Sequence, residues 1–165
     1  MSSRSSPPCG SSRRDFLLHA GECAAGAVMI SLVTIRASRA TPDMMQAAIH
    51  EILGTSEPQS GRVKLDLPPL VENGNAVPLT VSVDSPMTAQ DHVTAIHLFN
   101  EKNPQPYVAS FRLNPRTGKA VVATRIKLAD SQQVTAIAQM SDGSFWSDSA
   151  QVIVTIAACV EDVQP

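Results

Sequence analysis

Aromatic residues make up 4% of this 165-residue sequence and charged residues 17%, with one tryptophan, one tyrosine and three cysteines. The missing motifs exclude more than the thin composition does. No C-x-x-C is present, which removes the usual redox dithiol and zinc-ligand pair, and no H-E-x-x-H, which removes the helical zinc hydrolase site. A P-loop and a G-x-S-x-G are also missing, so neither a phosphate cradle nor a serine nucleophile elbow is indicated. Outside the first 40 residues the histidines are His50, His92 and His97. The separation of five puts His92 and His97 on opposite faces of a regular strand, which is poor for shared ligation. Structural roles are expected for all three, and no metal site.

What is present begins with the first 40 residues. Ser12, Arg13, Arg14, Asp15, Phe16 and Leu17 match the S-R-R-x-F-L pattern of a twin-arginine export signal. A moderately apolar stretch follows, then Ser38 and Ala40 as small residues before a cleavage point. The competing reading is a spanning anchor over Phe16 to Val33. Against it stand His19 and Glu22, because a charge near the centre of a spanning helix costs about 2.5 to 3.5 kcal/mol on insertion scales. Cleavage after Ala40, export in the folded state to the periplasm and no stable membrane anchor are the expectations.

Losing residues 1–40 takes five of the 13 Lys and Arg and two of the 15 Asp and Glu, leaving eight against 13, a net charge of −5. An acidic balance argues against nucleic acid, which selects basic surfaces. Cys9 and Cys23 leave as well, so Cys159 is the single remaining thiol. An odd cysteine in an oxidising compartment is either reactive or paired between chains.

The remaining chain divides into a short helix with its linker (41–60), a β domain (61–156) and a C-terminal arm (157–165). In "TPDMMQAAIHEILG", Asp43 is placed to cap a helix, Met45, Ile49, Ile52 and Leu53 fall at helical spacing, and Gly54 can end it. From Arg62 onward, short β-branched runs alternate with turn residues. They predict strands near 62–67, 77–83, 93–99, 107–113, 119–128, 133–140 and 150–156, with "PPLVENGNA" among the breaks. Seven strands at this spacing predict an all-β, antiparallel sandwich, and the alternation of Val77, Leu79, Val81 and Val83 is that of a sheet with one buried face.

The carboxylates Asp142, Asp148, Glu161 and Asp162 cluster in sequence, and they read as turn residues and a solvated tail before they read as an acid and base pair. Phe145 and Trp146 follow a turn and read as core or interface filling. Cys159 lies three residues past the last predicted strand, a span of roughly 10 Å at about 3.3 to 3.6 Å per residue. On the residues alone it is either a thiol able to visit another protein's active site or an incidental terminal cysteine.

From about Leu65 to Ala158 the chain resembles SoxY, the sulfur carrier family of the thiosulfate-oxidising Sox system. The resemblance is carried by "LPPLVENGNAVPLTVSVDSPMT", by "IHLFNEKNPQPYVASFRLNPRTGKAVVATRIKLADSQQVTAIAQMSDGSFW" and by "VIVTI" leading to a cysteine, behind a twin-arginine leader. It implies an immunoglobulin-like sandwich that pairs with a second sandwich protein, SoxZ, and carries sulfur covalently on the position of Cys159. It also implies no cofactor and no independent catalysis. A c-type sulfur-oxidising cytochrome would load the cysteine, a hydrolase would release sulfate, and a sulfur dehydrogenase would oxidise the remaining sulfane sulfur.

The arm departs from the family's usual G-G-C-G-G. Residues 157–161 read Ala157, Ala158, Cys159, Val160 and Glu161, then Asp162. Four glycines are replaced, and Val160 adds β-branched stiffness. Glu161 and Asp162 repel an anionic cargo by only about 0.6 kcal/mol per charge pair at about 7 Å in water, so bulk in a partner's channel is the larger consequence. Two other functions stay open at this point: a related carrier serving a different thiol process, and an interaction domain whose cysteine is incidental or links two chains.

Overall fold

The computed structural model describes residues 41–158. The sequence places Pro42 at the first turn of a helix, where its missing N–H and fixed φ are tolerated. Helix α1 runs Pro42–Leu53, and its N-cap is Thr41, whose hydroxyl accepts from the Met44 N–H at 3.4 Å. Asp43, expected as the cap, instead lies in the first turn, where its charge complements the helix dipole. Gly54 ends the helix at φ 61°, a conformation that other side chains enter at a cost.

Eight strands follow: β1 (Val63–Asp66), β2 (Leu70–Asn73), β3 (Val77–Val83), β4 (Val93–Asn100), β5 (Tyr107–Arg112), β6 (Val121–Ile126), β7 (Gln132–Met140) and β8 (Phe145–Ile156). They form a three-stranded sheet in the order β1-β3-β6 and a five-stranded sheet in the order β2-β8-β7-β4-β5. The fold is the expected immunoglobulin-like sandwich. Two features differ from the sequence expectation. Strand β2 forms inside the predicted break, pairing parallel to β8 with Leu70 opposite Ile153 and Val71 opposite Val154, so that one pairing in an otherwise antiparallel architecture is parallel. Strand β8 also begins five residues earlier than expected, because Phe145 to Ser149 continue the ladder with β7.

The burial patterns explain which faces the sequence displays. Strand β3 buries alternate residues, because only one of its faces meets the other sheet. Strands β4 and β7 are buried almost continuously, since α1 covers their outer face while the three-stranded sheet covers the inner one. The inner core packs Leu65, Val77, Leu79 and Val81 against Ile96, Leu98, Val134 and Val152. The outer cluster packs Met45, Ile49 and Leu53 of α1 onto Phe99, Ile137 and Phe145.

One carboxylate ties the sheets together. Asp148 on β8 accepts the Leu65 N–H of β1 at 2.8 Å and the Ser149 N–H at 2.9 Å. A hydrogen bond to a charged group is worth about 1.5 to 3 kcal/mol, so Asp148→Ala is expected to lower the unfolding free energy by about that amount. Urea unfolding monitored through Trp146 measures it, and an unchanged midpoint would contradict the bridging role.

Candidate functional site: a seat for the C-terminal arm

Strand β8 delivers the chain to its C-terminal arm, and the chemistry of Cys159 depends on how the last described residues are held. Cys159, Val160 and Glu161 lie outside the described residues, as do Arg13, Arg14 and Ala40 of the expected leader. Ala157 is exposed, whereas Ala158 is 7% exposed and its N–H donates to the Leu128 carbonyl at 3.0 Å. The arm is therefore not free from Ile156 onward, as strand spacing alone suggested. It is seated one residue before the cysteine.

The seat is built from three distant parts of the chain. The segment after β6 carries Leu128, which is fully buried, and its N–H donates to the Gly74 carbonyl at 2.8 Å. Gly74 opens the short 3-10 turn Gly74–Ala76, which follows Asn73, whose side chain accepts from the Asn75 N–H at 2.9 Å. On the other side Asn103 brackets the Leu128 segment, donating to the Lys127 carbonyl at 2.8 Å and accepting the Ala129 N–H at 2.9 Å. Gln132, 1% exposed, fixes Asn103 in turn by donating to its Oδ1 at 2.9 Å, and accepts the Lys102 N–H at 2.7 Å. Ser131 adds a link to β8 through the Val154 N–H at 2.9 Å. A network in which most polar atoms have partners fixes one geometry, since an unpaired buried polar group is costly.

No basic residue flanks Cys159 in sequence, yet the seat carries two lysines on its backbone. Lys127 adjoins Leu128, and Lys102 pairs with Asp130 at 3.3 Å. Lys127 falls at the end of the strand expected over 119–128, which stops at Ile126, whereas Lys102, Asn103 and Gln132 stand in segments that read as loops, where the only sequence signal was a concentration of turn-forming side chains.

The remaining candidates have structural places. Asp142 accepts from the Ser144 hydroxyl at 2.7 Å and N–H at 2.8 Å, and these bonds hold its carboxyl below the ordinary range. Phe145 is buried under α1, and the Arg62 guanidinium lies 5.6 Å from the centroid of the half-buried Trp146 ring. His92 precedes β4 and is held through its N–H, which donates to Ser141 Oγ at 3.2 Å. Among the described residues no group of three or more His, Cys, Asp or Glu is placed to hold a metal ion, and no helix is long and apolar enough to cross a membrane.

His97 lines an open groove beside α1 with Tyr107, Ser110 and Arg112, and its Nδ1 hydrogen bonds to Tyr107 Oη at 3.1 Å. Burial, followed by the nearby Arg112 charge, lowers its pKa below 6.5. The folded state thus binds a proton less readily than the unfolded state, so stability present at neutral pH is lost as the pH falls below about 6.5 toward the depressed value. Replacing His97 by Gln is expected to flatten that acid slope between pH 7 and 5. Urea midpoints across the range test this, and an equal slope in both proteins would contradict it.

The family described as "Sulfur oxidation protein SoxY" matches residues 49–159, from within α1 through the whole sandwich, ending on Cys159. The chain belongs to the SoxY family. Among solved structures it is similar to the sulfur carrier protein SoxY from Chlorobium limicola f thiosulfatophilum, at 29% identity and a TM-score of 0.58, covering 70% of this chain and 100% of that one. Superoxide reductase (neelaredoxin) from Ignicoccus hospitalis shares the fold at 21% identity and a TM-score of 0.52, covering 70% of this chain and 94% of that one. A point variant of the same reductase matches at 19% identity and a TM-score of 0.51, with 69% of this chain and 92% of that one covered. At these identities the reductases share an architecture with this SoxY-family chain and nothing further. A comparison with curated proteins finds no match.

Proposed function

We propose that this SoxY-family chain is a periplasmic sulfur carrier whose Cys159 thiol holds thiosulfate-derived sulfur for partner enzymes. The observation that carries the reading is the family match that runs through the sandwich and ends on Cys159, the residue directly after the seated Ala158. The similarity to a sulfur carrier of solved structure points the same way.

The chemistry assigned to the cysteine is a disulfide bond to the terminal sulfur of thiosulfate. Thiolate and thiosulfate join with loss of two electrons, which pass to a c-type cytochrome, and the thiol proton goes to water; the product is Cys–S–S–SO3−. The thiolate is the form that reacts, and a free cysteine has a pKa of about 8.5, so the loading enzyme must favour the deprotonated sulfur. A hydrolase then adds water to the sulfonate, releasing sulfate and two protons and leaving Cys–S–S−, on which a sulfur dehydrogenase acts. The chain itself supplies the attachment atom and no catalytic group.

A SoxZ-like subunit is the proposed stable partner. Leu70 and Ile153, register partners on β2 and β8 and each 58% exposed, form an apolar patch on one face of the sheet, and this supports a partner covering that face. Export by the twin-arginine route, with Arg13 and Arg14 as the recognition pair and cleavage after Ala40, supplies the compartment.

The test is loading. The mature protein, incubated with thiosulfate, oxidised cytochrome and a sulfur-oxidising cytochrome fraction, is expected to gain a thiosulfonate adduct seen by intact-protein mass spectrometry. Only unmodified thiol, with a control SoxY loaded in parallel, would overturn the reading. Val160 and Glu161, in place of glycines, favour one second reading, a related carrier loaded by a different sulfur donor. A chain that refuses thiosulfate but takes sulfane sulfur from a persulfide donor would support that alternative.

A further inference from the structure

Gly74 is buried at the point where the three parts of the seat meet. A Cβ built on it would press into the Leu128 carbonyl oxygen, lie 2.9 Å from the Ala158 nitrogen and 3.1 Å from a Val154 methyl. Two of these neighbours are backbone atoms, which cannot swing aside as a flexible side chain would. They are also the acceptor and donor of the bond that seats the arm. Any side chain at position 74 must therefore separate Leu128 from Ala158 or displace the turn that carries it.

We propose that Gly74 is a positioning residue for Cys159: by admitting the Leu128 carbonyl and the Ala158 amide to van der Waals distance, it anchors the arm one residue before the reactive sulfur. This rests on the carrier reading for its purpose and on the described geometry for its existence. Seating shortens the free span before the cysteine by two residues, about 7 Å of extended chain, relative to an arm that starts after Ile156. The thiol is then presented from a fixed point bordered by the Leu128 segment, Asn103 and the Gly74 turn, and a loading enzyme meets a pre-ordered arm. Pre-ordering lowers the entropy cost of binding, so its loss falls on KM before kcat.

The experiment uses the full mature chain and two variants. Gly74→Ala introduces the blocking Cβ, whereas Ala158→Pro leaves Gly74 in place, removes the donated N–H and fixes φ at position 158. In each, Cys159 alkylation by a small neutral reagent and loading by the cytochrome fraction are followed, with amide exchange at Leu128 in both and at Ala158 in wild type and Gly74→Ala. The net worth of one such bond sets the scale: amide exchange at Ala158 in Gly74→Ala, and KM for the loading enzyme in both, are expected to rise by about tenfold, with kcat little changed and alkylation no slower. A folded Gly74→Ala protein with wild-type exchange at Ala158 and wild-type KM overturns the proposal. Should that variant not fold, Ala158→Pro decides, and an unchanged KM there overturns it equally. If the wild-type chain does not load at all, the carrier reading fails by itself, while exchange at Ala158 and the alkylation rates still decide whether Gly74 seats the arm.

Discussion

Cys159→Ser is expected to reduce thiosulfate oxidation in a reconstituted pathway to the level seen without carrier, while the unfolding midpoint stays at the wild-type value. The size of the effect follows from the chemistry. A serine oxygen forms no disulfide-type bond with thiosulfate, and Cys9 and Cys23 leave with the expected leader, so no other thiol can substitute. The unchanged stability is expected because serine is nearly isosteric with cysteine and because, among the described residues, the buried members of both hydrophobic clusters lie between Met45 and Val152. Turnover assays with purified partners and urea titration of the same preparation read the two halves separately. A variant that retained appreciable turnover would show that the sulfur travels elsewhere, and one that lost stability would show that the cysteine serves the fold.

Phe99→Ala is expected to have the largest effect on stability, about 3 to 5 kcal/mol, the usual cost of truncating a fully buried phenylalanine. Phe99 is 0% exposed and sits at a register shift in β4 next to Leu98, where it joins α1 to the five-stranded sheet through Ile137 and Phe145. Its ring also lies 5.3 Å from that of Tyr107 at an interplanar angle of 47°, a tilted pair that adds to the burial. A domain of this size has a total stability of roughly 5 to 15 kcal/mol, so the loss is a large fraction of it. Val121→Ala, on a residue 48% exposed at the edge strand β6, is the matched control and should cost less than about 0.5 kcal/mol. The comparison is made from urea midpoints at constant m-value, and a Phe99→Ala cost below about 1 kcal/mol would contradict the assigned packing.

The legible parts of the fold are those where one physical rule acts alone. Strand β3 was readable because each of its core residues alternates with a partner facing away, and α1 because Met45, Ile49 and Leu53 recur on one face with a glycine behind them. Strand β2 was not. Its four residues follow two prolines and show almost no buried pattern, and what makes them a strand is backbone pairing to the distant β8, which no local periodicity records. The helix cap shows a smaller version of the same limit, since both Thr41 and Asp43 are capping residues by type and Pro42 decides between them by occupying the first turn.

The candidate site divides in the same way. Cys159 was visible by elimination and by resemblance, and the altered arm around it was visible by inspection. Its seat was not visible, because Gly74, Asn103, Leu128 and Ala158 are brought together only by the closing of the sandwich, through contacts to backbone atoms, whose partners no side-chain pattern reveals. The sequence suggested a tether running from the end of a strand. The structure replaces it with an arm that is fixed as far as Ala158, and this shifts attention from the missing glycines on either side of the cysteine to the glycine at position 74, which packs against Ala158.

A pulse of isotopically labelled thiosulfate in the complete pathway, followed by an unlabelled chase and peptide mass spectrometry, tests the carrier claim most directly. Label is expected to appear on the peptide containing Cys159 and to leave it as sulfate at a rate no slower than overall turnover. Label that never reaches this peptide while sulfate still forms, or that stays on it through many turnovers, would contradict the claim that Cys159 carries the sulfur.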